Sequence, residues 1–251
     1  MKNCRLILSI IGGLFIMTSL GGCEVKNKEE VEQGFENVLA MYPTKNLMDF
    51  YDMEGYRDEE FEEEDKGTWV LISTMGVSHT ETSPLISEGM VLRLNRNTQT
   101  AEGFYFEREI ETPEVIEQTY PVTYDEQGFH LTEEVTDSAL KEKILNFKFF
   151  VQYGKFDKLN EYKNLRKMYN PEVPMYELEY QLTNQDTNVK QLRERYNIPT
   201  EQAPTLVLSG RGTLEGSSIS SKELTFQFEK NPPIFFRDSI DYQPSNEEDN
   251  Q

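Results

Sequence analysis

"MVLRLNRNTQTAEGFYFE", residues 90–107, decides the fold class. Met90, Leu92 and Leu94 alternate with Val91, Arg93 and Asn95, the period of two that gives a strand one buried side and one wet side. Asn95-Arg96-Asn97-Thr98 is a run of turn formers, and a partner strand follows around Gly103 to Glu107. The spacing predicts an antiparallel hairpin.

Working outward, the same alternation recurs. Trp69-Val70-Leu71-Ile72 is a short apolar strand, and a second hairpin joins residues 120–124 to 129–131 across Asp125-Glu126-Gln127-Gly128, with Gly128 suited to the positive φ such a loop needs. Tyr176, Leu178, Tyr180 and Leu182 share one strand face. Residues 206–208 and Leu214 belong to further strands, and Leu224, Phe226 and Phe228 alternate with Thr225, Gln227 and Glu229. Helical spacing links Val31, Phe35, Val38, Leu39 and Tyr42 until Pro43, and then Leu47, Phe50 and Tyr51 in a second short helix ending near Gly55. Leu140, Ile144, Phe147 and Val151 predict one helix to about Tyr153; Asp186 is placed to cap a helix bearing Val189, Leu192 and Tyr196. The expected architecture is α+β: antiparallel sheets with packed helices in two similar-sized lobes, residues 31–154 and 155–242, followed by a flexible acidic tail at 243–251.

Composition sets limits on partners. The 251 residues carry 45 acidic and 25 basic side chains, a formal charge of −20, with 37% hydrophobic residues, 13 Tyr and 15 Phe. That is an acidic, folding composition. A nucleic-acid backbone needs a basic stripe, which this chain lacks, so nucleic acid is excluded as partner.

The N-terminus reads differently. Lys2 and Arg5 precede an uncharged apolar run from Leu6 to Leu20, the n-region and h-region of an export signal. Fifteen residues span roughly 22 Å as a helix, short of the ~30 Å hydrocarbon core. Leu20, Gly21, Gly22 and Cys23 then resemble the bacterial lipobox, which places peptidase cleavage after Gly22 and a diacylglycerol thioether on the Cys23 sulfur. Residues 1–22 are thus expected to be a lipoprotein signal peptide and residues 23–30 a lipid-anchored tether. Removing Lys2 and Arg5 leaves 23 basic residues against 45 acidic, a charge of −22. An anionic leaflet repels such a body, so the acyl chains, at ~0.8 kcal/mol per buried methylene, must hold it.

Motifs of catalysis are scarce. His79 and His130 are the two histidines, neither in H-E-x-x-H, and Cys4 leaves with the signal. No G-x-S-x-G elbow occurs. Residues 58–65, "DEEFEEED", lack the spacing of a calcium loop and read as a solvated acidic loop; "SGRGTLEGSS", residues 209–218, lacks the Lys-Ser/Thr ending of a phosphate loop and reads as a hairpin or bulge. No catalytic residue, metal ligand or cofactor is expected, and the chain is expected to be a monomer.

"MYPTKNLMDFYDMEGYRDEEF" (41–61), "DKGTW" (65–69), "EGMVLRLNRNTQTAEGFYF" (88–106), "NFKFFVQYG" (146–154), "NVKQLRERYNIPT" (188–200) and "GTLEGSS" (212–218) resemble the staphylococcal tandem-type lipoproteins, the lipoprotein-like family. The resemblance covers most of the mature chain. It implies a lipoprotein on the extracellular face of the cell membrane, without known enzymatic activity, associated with host-cell entry through a host chaperone and with stimulation of a Toll-like receptor through the lipid. The family's functional residue maps onto Cys23. "EFEEED" and "EREIETPEVIEQ" depart from lysine-rich relatives, which removes any role needing a basic surface. The alternative is a solute-binding lipoprotein of a transporter, which requires a cleft between lobes; a cell-wall hydrolase would need a titrating carboxylate pair.

Overall fold

The computed structural model describes residues 28–55, 57, 59–157, 159–170, 175–211 and 222–245. Ten strands form one sheet: β1 Thr68–Val77, β2 Leu85–Asn95, β3 Thr100–Glu111, β4 Glu114–Asp125, β5 Gly128–Leu131, β6 Lys163–Asn170, β7 Met175–Gln181, β8 Thr205–Arg211, β9 Lys222–Lys230 and β10 Pro233–Gln243. Their order is β5-β4-β3-β2-β1-β10-β9-β8-β7-β6, every neighbour antiparallel. Four short helices accompany it: α1 Lys28–Gln33, α2 Glu36–Leu39, α3 Ser138–Leu145 and α4 Thr187–Arg195. The class is α+β, dominated by antiparallel sheet.

The hairpin at residues 90–107 forms as its alternation requires, with Leu92 opposite Gly103 and Met90 opposite Tyr105. The second hairpin also forms, and Gly128 takes φ +111°. The two expected lobes do not separate. Instead β1 pairs with β10 along ten residues, from Thr68 opposite Gln243 to Val77 opposite Ile234, so five strands from each half continue one sheet. Alternation reports which face of a strand is buried and leaves open which strand lies beside it. Side chains from both halves and from the helices join a single core cluster on one face, including Phe35, Trp69, Leu92, Phe150, Tyr180 and Phe236. Burial of such side chains stabilises by about 1.5–3 kcal/mol each.

Several boundaries differ from expectation. The charged stretch after residue 155 yields strand β6, and β10 is a further strand whose alternation, Phe236-Asp238-Ile240-Tyr242, has a carboxylate interrupting its apolar face. The helix expected to reach Tyr153 stops at Leu145, Asn146 capping it, and a 3-10 turn over Phe150–Gln152 follows. The helix expected between Val31 and Pro43 breaks into α1 and α2 around Gly34-Phe35, and the next is a 3-10 turn, Leu47–Tyr51. Helix α1 begins within the expected tether, at Lys28. Part of the expected tail is ordered as well: β10 ends at Gln243, and the Ser245 amide donates to Asp65 Oδ2 at 2.8 Å. Leu214 and residues 246–251 lie outside the described residues.

The meander dictates one long crossing. Because β5 and β6 lie at opposite margins of the sheet, residues 132–162 must traverse it. They do so on the core face, where the Phe150 ring meets Tyr42, Phe226 and Phe236 with centroids 5.6, 5.3 and 5.4 Å away.

Candidate functional site

Cys23 and the other residues of the expected lipobox, Leu20, Gly21 and Gly22, lie outside the described residues. The described body begins at Lys28, so five residue steps join it to Cys23. At ~3.5 Å per extended residue the Cα of Lys28 stands no more than about 18 Å from that of Cys23. Among the described residues no helix is long and apolar enough to cross a membrane.

Among the described residues, neither histidine ring hydrogen-bonds to a serine, threonine or cysteine side chain. His79 is exposed on the loop after β1, its amide donating to Ser83 Oγ at 3.1 Å. His130 on β5 lies 2.8 Å from Asp125 Oδ1, and that hydrogen bond, with the Gln127 amide, lowers the Asp125 pKa. The acidic stretch 58–65 has a structural member: Asp65 accepts from the Gly67 and Ser245 amides and from Asn97 Nδ2 at 2.7–2.8 Å. Burial opposes its ionisation, yet these bonds outweigh that cost and lower its pKa. Among the described residues no three metal-ligating side chains converge. Of "SGRGTLEGSS", the described part ends strand β8, and residues 212–218 lie outside the described residues.

The most perturbed carboxyl is one that the alternation of β10 hid. Asp238 is 1% exposed on the core face. Tyr42 Oη donates to its Oδ2 at 2.5 Å and Ser73 Oγ donates to its Oδ1; Ser73 Oγ in turn accepts from the Phe150 amide at 3.1 Å. Burial pushes the Asp238 carboxyl up to about 7, with the two hydroxyl bonds pulling the other way. This node fastens β1, β10, the post-α2 loop and the crossing segment together. Its polar atoms are committed to one another, which makes it a structural joint.

Depressions open on the surface of the described residues. One of about 520 Å³ lies between Glu32, Glu36, Tyr42, Phe156 and Asp157. Another, about 460 Å³, is lined by Met175, Glu177, Ser209, Lys222, Glu223 and Asp241. A third, about 340 Å³, is lined by Glu88, Tyr105, Lys143, Phe147, Arg195 and Tyr196. In this last one, Lys143 pairs with Glu88, and Tyr105 Oη donates to the same carboxylate at 3.2 Å, where burial and the nearby acids raise the tyrosine pKa. The cleft sits between α3, the end of α4 and the sheet, so both halves of the chain line it, the first up to Lys148 and the second from Glu194.

Relatives supply the class that the body alone leaves open. The chain is 48% identical over 257 aligned residues to a lipoprotein of Staphylococcus epidermidis strain RP62A, covering 98% of this chain and 99% of the relative. It is 46% identical over 254 residues to a lipoprotein of Staphylococcus aureus strain MSSA476 (98% and 100%) and 46% identical over 248 residues to one of strain USA300 (96% and 97%). The class is therefore that of staphylococcal lipoproteins. Within it, the chain belongs to the Csa1 family, whose model matches residues 27–245.

Proposed function

We propose that this chain is a non-enzymatic protein of the extracellular face, held to the cell membrane by a diacylglycerol thioether on Cys23, whose folded body engages a protein partner. The observation that carries the reading is the sequence Leu20-Gly21-Gly22-Cys23 at the end of the uncharged apolar run, in a chain that belongs to a lipoprotein family. Host-cell contact and stimulation of an innate receptor through the lipid are the finer roles that the resemblance implies. The solute-receptor reading has less support, because the β1–β10 pairing joins both halves in one sheet, whereas a receptor of that kind needs separate lobes around its ligand.

Cys23→Ala tests the anchor. The variant is expected to leave the membrane fraction and to lose receptor stimulation, since a single unacylated chain of charge −22 has no hold on an anionic leaflet. A variant that still sediments with membranes and still stimulates overturns the lipid half of the reading. Pull-down from host and bacterial extracts with the acylated chain tests the partner half, and the absence of any enriched protein counts against it.

A further inference from the structure

We infer that the outer edge of β4 is a docking strand for an extended basic segment of a partner protein, lysines or arginines alternating with aliphatic residues. This deepens the interaction reading above and rests on it.

The edge is open for a reason visible in the topology. β4 runs from Glu114 to Asp125, but its outer neighbour β5 has four residues and covers only Val122 to Asp125. Residues 114–119 are all exposed. The β3–β4 hairpin turns at Thr112-Pro113 with Glu111 opposite Glu114, so in the usual two-residue hairpin the 111/114 pair exchanges bonds and even-numbered residues face β3. Val115, Glu117 and Thr119 then aim their N–H and C=O groups outward. The Pro121 carbonyl confirms this phase, accepting from the Thr132 amide on the outer side at 3.2 Å.

Proteins usually blunt such an edge with charge or proline, and β4 carries Glu114, Glu117 and Pro121. Its exposed end nonetheless presents aliphatics on both faces: Val115 is 60% exposed on one, and on the other Ile116 is 66% and its neighbour two strands away, Ile86, 46%. The surrounding charge is one-signed. Six glutamates and one arginine lie between residues 102 and 118, and that arginine, Arg108, is taken by Glu117. Among the described residues Glu109, Glu111 and Glu114 have no cationic partner. Backbone groups give affinity in strand addition and side-chain alternation gives specificity; aliphatic contacts framed by carboxylates therefore select a basic, alternating strand.

A second copy is a poorer occupant. Two β4 edges brought together place two acidic strands of the same sign side by side. The basic far edge, β6, is bulged between Asn164 and Arg166, and Arg166 lies 3.7 Å from Glu177 of its own sheet, so neither its register nor its charge is free for the purpose.

The experiment uses the mature acylated chain in a neutral detergent and a fluorescent peptide of alternating lysine and valine. Saturable binding is expected, about tenfold weaker for a peptide of the same composition arranged in blocks and about tenfold weaker for Thr119→Pro, which removes one outward N–H in the phase Pro121 already occupies. Hydrogen exchange on the unaltered chain is independent of any folding defect: the peptide should slow exchange at Val115, Glu117 and Thr119. Equal affinity for both peptides, equal binding by Thr119→Pro, unchanged exchange at those amides, or a chain whose β4 edge is already protected by self-association would each overturn the proposal. A partner captured equally by wild-type and Thr119→Pro chains removes the edge while leaving the interaction reading standing.

Discussion

Asp238 shows what one misplaced-looking residue does to stability. Its carboxyl ionises near 3.8 when exposed and near 7 in the folded chain, because burial disfavours the charge. Between those values the folded chain keeps a proton that the unfolded chain has lost, so this group's contribution falls as pH rises from about 4 to about 7 and is level above. The swing is at most about 4 kcal/mol, at 1.36 kcal/mol per pKa unit. Asp238→Asn has no such titration. Urea midpoints of wild type and variant across that range should therefore differ by an amount that changes with pH, and a constant difference would show that Asp238 does not titrate there. The tyrosines around the node, Tyr42, Tyr153 and Tyr196, are all raised by burial first, so they stay neutral throughout the window.

Among the elements, α4 is the helix whose start was legible. Asp186 accepts from the Asn188 and Val189 amides at 2.9 and 3.2 Å, and its other oxygen accepts from Tyr162 Oη at 2.6 Å. Asp186→Ala should cost about 1–2 kcal/mol of unfolding free energy, and Asp186→Asn markedly less, since asparagine caps nearly as well. Chemical denaturation of the two variants measures this, and equal losses would mean that the Tyr162 contact outweighs the cap. The end of α3 was not legible in the same way. Leu140, Ile144, Phe147 and Val151 keep helical spacing, yet Phe149 gains more by packing on Phe129 of β5, and Phe150 by packing on Phe226 of β9 and Phe236 of β10, than by continuing a helix. Tertiary packing overrides propensity there.

The molecule as a whole should unfold as one unit. The β1–β10 seam and the single core leave no plane along which the halves part. Calorimetry is expected to give one transition with equal calorimetric and van't Hoff enthalpies, and residues 31–154 expressed alone, which strand β1 beside an unpaired edge, should show no cooperative unfolding. Two separable transitions would restore the two-lobe reading. Pairing Thr68 with Gln243 also closes most of the chain into one loop, a contact order of the kind that makes sheets slow to form.

Local chemistry written in the letters determined several strands and one helix start through short-range signals: the alternation at Met90-Leu92-Leu94, the Gly128 turn and the Asp186 cap. Each depends on neighbours within a few residues, so the sequence alone suffices. Which strands lie side by side, why a carboxyl sits in the core at position 238, and where the sheet leaves its edge open at 115–119 were decided by contacts between segments far apart in the chain. Hydrogen-bonding edges carry no residue-specific label, since every backbone offers the same N–H and C=O groups; only the assembled sheet chooses among them.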